Sequence, residues 1–280
     1  MKDKFIELAP AKINLFLKII NKRTDNYHNI RSGITFINLF DQITVEKSSF
    51  FKINYIGKFA PENNFYIDCI LHQLFETFQI SKPRLNFIVE KNIPVQSGLG
   101  SASSNAAAMF RILEKMNIYK IKDIRDTRIL GSDIPLFLNQ KDCLIRGTGE
   151  KITNKVYPKY YFLLVKPNSN CSTKEIYNLI KNRDLDYNVE NDYEEINEFD
   201  IGNDFEKFII RINEEVTQIL NFFKDLEYVI FSRMTGTGSC CYAAFNTKNE
   251  AENAQKIFVK KFPLLWTLIT ENNTIKRNNL

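Results

Sequence analysis

A glycine- and serine-rich loop, set between a strand pattern and an alanine-rich helix pattern, constrains this chain more than any other feature. Leu85, Phe87 and Val89 alternate as a strand with one buried face. Then comes Pro94-Val95-Gln96-Ser97-Gly98-Leu99-Gly100-Ser101-Ala102-Ser103-Ser104, and after it a helical run rich in alanine that extends to about Met116. Gly98 and Gly100 permit unusual dihedrals and close approach of the backbone to a ligand. The serines stand where a helix begins, with N–H groups free of intrahelical partners and the positive end of the dipole pointing outward. An anion, most naturally a phosphate chain, fits there. The loop is neither G-x-x-x-x-G-K-[ST] nor G-x-G-x-x-G, and taken alone it equally describes a serine-capped helix after a glycine turn.

Around this loop the pattern mixes strands and helices. Ala11, Ile13, Leu15, Leu17 and Ile19 share one face of a strand, and Lys12, Asn14, Phe16 and Lys18 share the other. Strand-like runs follow at Ile34–Leu39, Ile43–Lys47 and Phe51–Ile56, and Phe65–Phe78 switches to helical spacing. A second helical stretch leads to Leu130, Ser132–Leu138 is short and turns from polar to apolar, and Cys143–Arg146 reads as a strand. A second unit is expected to begin near Gly147–Lys151, which divides the chain into residues 1–150 and 151–280. In it, Tyr161–Lys166, Tyr228–Phe231, Cys240–Phe245 and Leu264–Ile269 read as strands, and Thr173–Ile180, Asp204–Leu220 and Asn249–Lys261 as helices. Asp184–Asp200 holds acids and no Lys or Arg, which suits a solvated loop. The fold class this implies is α+β.

Composition narrows the chemistry. Two histidines in 280 residues leave a His-rich metal site without ligands, and a nucleophilic triad could draw only on His28 or His72. Five cysteines, Cys69, Cys143, Cys171, Cys240 and Cys241, form no C-x-x-C pair. This speaks against a disulfide framework or a structural zinc, and for free thiols in a reducing cytoplasm. Lys12 and Lys18 interrupt the early apolar stretch, so it is neither a signal segment nor a membrane span. The net charge of +5 is mild, and Lys and Arg are dispersed among acids without an aromatic–basic stripe, which opposes a nucleic-acid-binding module.

Several polar residues could carry chemistry. Asp133 lies in Gly131-Ser-Asp-Ile-Pro135, where it could face a cleft as a base or simply cap a helix. Lys12 is either a solvated edge lysine or a cleft ammonium, and Asn14 shares its face. Tyr177 stands four residues after Thr173, on one face of the expected helix, and could equally be core. Lys91 could be an ordinary strand-end lysine, and Gly236 and Gly238 a tight strand connection.

Four of these segments, in this order, resemble the signatures of the GHMP kinases, the galactokinase–homoserine kinase–mevalonate kinase superfamily. They are Pro10-Ala-Lys12-Ile-Asn14-Leu-Phe-Leu17, Gly98-Leu-Gly100-Ser-Ala-Ser-Ser104, Gly131-Ser-Asp133-Ile-Pro135-Leu-Phe137 and Thr235-Gly236-Thr-Gly238-Ser239. With Asp25-Asn-Tyr27-His28, the first segment is similar to the 4-diphosphocytidyl-2-C-methyl-D-erythritol kinase family of the non-mevalonate isoprenoid pathway. Ser101 and Ala102 stand where that family usually has glycine.

The resemblance implies a two-domain α+β fold. An N-terminal ribosomal S5 domain 2-like unit and a C-terminal ferredoxin-like unit would enclose the site between them. It implies ATP and Mg2+ as cofactors, with ATP on Pro94–Ser104 and with Lys91 and Asn64 at the nucleotide side. Metal ligands stay open, Ser104 being a conceivable one. Asp133 would take the proton of the acceptor's 2-hydroxyl, and Lys12 would steady that carboxylate and the moving phosphoryl group. Asn14, Tyr27, His28, Thr173, Tyr177, Gly236 and Gly238 would hold the acceptor, a cytidine diphosphate-linked methylerythritol, with Tyr27, His28 and Tyr177 at the base. The expected protein is a cytoplasmic monomer or homodimer acting on small molecules, with no nucleic-acid or membrane partner. A kinase for mevalonate, homoserine or a sugar is the alternative.

Overall fold

The computed structural model describes residues 4–25, 27–61, 67–170, 176 and 202–272. Asn64, Thr173, Tyr177 and the acidic segment Asp184–Asp200 lie outside the described residues. The early alternation develops into β1, Lys4–Lys22, which pairs antiparallel with β2, His28–Lys47. Register shifts interrupt the ladder at Pro10/Ala11, Asn14/Phe16 and Ile19/Asn21. The shift after Asn14 re-aims the strand, as bulges do. Leu15 and Phe16 both join one core, and Leu17 and Ile19 join another.

β2 is one strand where the sequence reads two, Ile34–Leu39 and Ile43–Lys47. Asp41 looks like a break, but it is fully buried and ion-paired with Lys91. On the other edge of β2 lie β4, Leu85–Glu90, and β5, Cys143–Gly147, at different levels. β3, Lys52–Ile56, pairs parallel with β4, and β6, Lys151–Asn154, pairs antiparallel with β5. These strands make a six-stranded sheet. Because Lys151–Asn154 belongs to it, a division at 150/151 would cut the β5–β6 hairpin, and the change of sheet comes between Asn154 and Tyr161.

One face of this sheet is covered by α1, Ile67–Thr77, α2, Ser101–Lys115, and α3, Ile134–Asn139. The expected helix before Leu130 is a 3-10 segment, Ile124–Ile129. Ala106, Ala107 and Ala108 let α2 lie close to the sheet. Arg111 binds it there, donating to Leu8 O at 3.0 Å, to Phe137 O at 3.1 Å and to the Glu7 carboxylate at 2.6 Å.

A second sheet holds β7, Tyr161–Lys166, β8, Phe231–Met234, β9, Cys241–Phe245, and β10, Trp266–Glu271, in the order β10-β7-β9-β8, all antiparallel. β8 starts at Phe231, not Tyr228, whose φ of 64° keeps it out of a strand. The periodic run Asp204–Leu220 is two helices, α4, Glu206–Ile209, and α5, Glu214–Lys224. The apolar spacing crosses the break, but the Asn213 side chain accepts from Val216 N and starts a new helix. α6, Lys248–Lys261, opens on a capping box of Thr247 and Glu250. α4, α5 and α6 share one apolar cluster with Leu17, Ile19, Val165 and Phe245.

Between the sheets lies a third cluster, joining Ala11, Ile13, Leu15, Phe16 and Leu39 to Phe162, Leu164 and Tyr242. Each large side chain buried there removes about 1.5–3 kcal/mol worth of apolar surface from water. The layers therefore run helices, sheet, sheet, helices, with β1 contributing to both halves. No described helix is long and apolar enough to cross a membrane. Cys143, Cys240 and Cys241 are buried free thiols.

Candidate active site

The loop after β4 enters α2 through two left-handed glycines, Gly98 at φ 76° and Gly100 at φ 80°. Gly100 is the N-cap residue and no side chain caps α2, so the positive end of the helix is not occupied by the chain's own hydroxyls. The loop is internally braced: the Ser97 hydroxyl donates to Pro94 O at 2.6 Å, and Leu99 O accepts from Lys12 N at 3.0 Å. A Cβ on Gly100 would stand 2.5 Å from the Phe137 ring and 3.4 Å from Lys12 Cε. Only glycine fits that crossing of loop, α3 and β1.

The serines of the loop divide. The Ser104 hydroxyl donates to Pro10 O at 2.7 Å and is fully buried, so it ties α2 to β1 and is not presented to a metal or phosphate. Ser101 donates to Asp41 Oδ2 at 2.7 Å and accepts from Lys91 Nζ. Ser103 is half-buried, and a Cβ on Gly131 would lie 3.5 Å from its hydroxyl. Ala102 is exposed beside it, as are Val95 and Gln96 at the loop's outer edge.

Lys91 also differs from its expected place. It is 1% exposed and ion-paired with Asp41, whose other oxygen accepts from Asn92 N at 2.7 Å and Ile93 N at 2.8 Å. Burial pulls the Lys91 ammonium below the usual lysine range and Asp41 pulls it back. The pair holds the root of the loop; Lys91 does not reach the open cleft.

Lys12 and Asn14 do meet there. Lys12, 4% exposed, donates to Asn14 Oδ1 at 2.5 Å, and Asn14 Nδ2 donates to Ser32 at 2.9 Å. Burial lowers the Lys12 pKa, and the Asp133 charge opposes that shift. Asp133 occupies the N-cap of α3, yet its side chain makes no cap bond. Its carboxylate is thus left to the Lys12 side rather than spent on the helix.

The third glycine segment closes the site from the second sheet. Cys240 N donates to Ser97 O at 3.1 Å, Ser239 N to Gln96 O at 3.4 Å, and Asn14 N to Thr235 Oγ1 at 3.0 Å. Gly238 N donates back to Thr235 O at 3.0 Å. Gly236, at φ 58°, turns its bare face inward: a Cβ there would lie 3.3 Å from Gly98 O, 3.3 Å from Lys12 Nζ and 3.4 Å from Asn14 Oδ1.

Tyr27 and His28 sit at the far end of the β1–β2 hairpin. Tyr27 follows a turn closed by Arg23 N donating to Tyr27 O at 2.8 Å, and its side chain is 65% exposed. His28 is buried at the start of β2, opposite Lys22. The sequence reading passed over Asp41, Thr235 as a ligand of Asn14, and Asn105. Asn105 is fully buried one turn into α2, with neither side-chain polar atom hydrogen-bonded among the described residues. Its place directly after the loop serines was the available signal. No group of three His, Cys, Asp or Glu is placed to hold a metal among the described residues.

The chain is similar to known proteins over most of its length. Residues 65–133 match the family profile described as GHMP kinases N terminal domain, and residues 184–264 that described as GHMP kinases C terminal. The chain is similar to a 4-diphosphocytidyl-2-C-methyl-D-erythritol kinase of Francisella tularensis subsp. holarctica, 34% identical over 256 residues, 86% of this chain and 88% of the relative. It is also similar to the protein of that name from Ehrlichia canis, 31% identical over 265 residues, 90% of this chain and 93% of the relative. A crystal structure of 4-(cytidine 5'-diphospho)-2C-methyl-D-erythritol kinase shares the fold, with TM-score 0.76 and 24% identity over 96% of this chain and 99% of the other.

Proposed function

The chain belongs to the 4-diphosphocytidyl-2-C-methyl-D-erythritol kinase family of the GHMP kinases, and we propose that it phosphorylates the 2-hydroxyl of that cytidyl substrate at the junction of its glycine loops. The observation that carries the assignment of residues is the inward face of Gly236, which stands over Lys12, Asn14 and Gly98 at once. Phosphate loop, lysine and acceptor-side turn converge there.

ATP, when bound, supplies the phosphoryl group. The uncapped N-terminus of α2 and the left-handed Gly98 and Gly100 fit its phosphates. Asp133 accepts the proton of the acceptor hydroxyl. Lys12, whose ammonium the Asp133 charge supports against burial, offsets charge on the transferring group, and Asn14 holds that ammonium in place. Gly236 and Gly238 let the second-sheet backbone approach the acceptor. Tyr27 offers an exposed ring for the cytosine and His28 a group beside it. Asn64, Thr173 and Tyr177 complete the nucleotide and base contacts on the family resemblance alone. The described residues provide no carboxylate cage for magnesium, and Ser104 is turned away, so no step rests on that ion. The half that carries the phosphate loop and the half that carries the Thr235–Ser239 turn part between Asn154 and Tyr161, and the β1–β2 hairpin brings Asn14, Tyr27 and His28 to the acceptor from the first of them. Buried free thiols suit a reducing cytoplasm.

An ADP-release assay with the cytidyl substrate, mevalonate, homoserine and a hexose tests the assignment. Turnover is expected with the cytidyl substrate alone; turnover with another acceptor in its place would overturn it.

A further inference from the structure

We propose that Asn203 is a positioning residue for phosphoryl transfer, holding the Thr235–Gly236 turn in register over Lys12. Its carboxamide donates to two carbonyls of one turn, Met234 O at 2.7 Å and Gly236 O at 2.8 Å. Those two bonds use both of its N–H groups, and its oxygen accepts from Phe205 N at 3.0 Å. Asn203 is itself buried, and its backbone is anchored on β1: it bridges Leu17 in parallel, with Leu17 N donating to Gly202 O at 2.9 Å and Asp204 N donating to Leu17 O at 2.9 Å. The Asp204 carboxylate adds Ile19 N at 2.9 Å and Lys18 at 3.1 Å.

The residue between the two held carbonyls is Thr235. Its hydroxyl oxygen accepts from Asn14 N at 3.0 Å, and the hydroxyl donates to Asn14 Oδ1 at 3.2 Å, the atom that receives Lys12 Nζ. Gly236, the second residue held, presents its bare face to Lys12. A path of contacts thus runs from Leu17 on β1 through Asn203 and the turn back to Asn14 and Lys12 on the same strand. The side chain must be an amide. Aspartate would set a charge against two carbonyl oxygens, and an apolar residue would leave both buried without a donor. A displacement of about 1 Å in such a turn is enough to cost roughly a hundredfold in rate.

The proposal rests on the reading of Lys12 above, and the test separates the two. In the full-length enzyme, Asn203→Ala is expected to lower kcat by about 10- to 100-fold with the KM for ATP within about twofold. Asn203→Ser, which restores one donor, should recover part of the loss, and Asn203→Asp none. All are assayed well below their own unfolding midpoints. In a Lys12→Ala background, Asn203→Ala should cost about twofold at most, because the group it positions is gone. If Lys12→Ala is crippled and the two losses multiply, Asn203 is a structural residue only and the proposal falls. If Lys12→Ala turns over normally, the site reading is wrong and the proposal falls with it. Should Asn203→Ala fail to fold, Asn203→Ser takes its place in the cycle.

Discussion

Gly98 and Thr235 pack backbone against backbone: a methyl group on the glycine would overlap the carbonyl oxygen of the threonine. The phosphate-side loop and the acceptor-side turn therefore meet without any side chain between them. Gly98→Ala adds both that overlap and the cost of a left-handed alanine, about 1–2 kcal/mol. It should lower the unfolding temperature by several degrees and kcat by tenfold or more. Gly149→Ala is the control, since it shares a positive φ of 103° but meets nothing nearer than 3.8 Å. Equal activity losses in the two variants would show that contact with Thr235 is irrelevant.

Asp133→Asn keeps the side chain's shape and removes the base. Its side chain makes no cap bond, so no helix hydrogen bond is lost, and stability should fall only modestly as buried Lys12 loses the charge that opposes its burial. Turnover should fall about a hundredfold or more, with the KM for ATP largely kept. Steady-state kinetics beside a melting curve check this. Retained turnover would remove Asp133 from the reaction.

Lys12 should set an alkaline limit on activity. Burial lowers its pKa, so the ammonium is lost as pH rises through a value below 10.5, and turnover should decline there. Asp133 opposes the lowering, so Asp133→Asn should move the limb of the residual activity to still lower pH. A limb that stays in place or rises in that variant contradicts the pairing.

Glu206 makes stability depend on pH. It lies beside the Asn203 anchor, accepts from Met234 N at 2.7 Å, and is pushed up to about 7 by burial, against the pull of that bond, Arg233 and Lys224. A carboxyl with a raised folded pKa keeps its proton while the unfolded chain loses one. The contribution of Glu206 to stability is therefore fully present below about 4.5 and lost as pH rises through about 7. Glu206→Gln can still accept from Met234 N. Its melting temperature should match the parent's near pH 4.5 and exceed it by several degrees at pH 8. Parallel melting curves across that range would refute the linkage.

The sequence makes the phosphate loop legible because its chemistry is local: glycine freedom, serine at a helix start and alanine beyond it all lie within a dozen residues. Lys12 and Asn14 are legible for the same reason, through alternation. What is not legible comes from pairs far apart in the chain. Asp41 reads as a strand break and Lys91 as a nucleotide contact until burial joins them, 50 positions apart. Ser104 looks like any loop serine until Pro10 O claims its hydroxyl. Asn213 divides a run whose apolar period never falters, because a cap acts on backbone N–H groups that hydrophobic spacing does not record. Asn203 carries no local signature, since both carbonyls it serves lie about thirty residues on.

The long first strand has a consequence for how such an enzyme can be taken apart or altered. Severing the chain between Asn154 and Tyr161 would give two pieces, each with a sheet, but the second would lack Leu17 and Ile19 from its core and the edge that Asn203 grips. The acceptor half does not dock onto the nucleotide half; it is threaded by it. A slip of one residue in β1 would turn Lys12 and Asn14 away from the site and unseat the other half's core in the same motion. Alignment of the two substrates is thus inherited through covalent continuity, which leaves the outer loops free to diverge while the strand beneath them keeps its register.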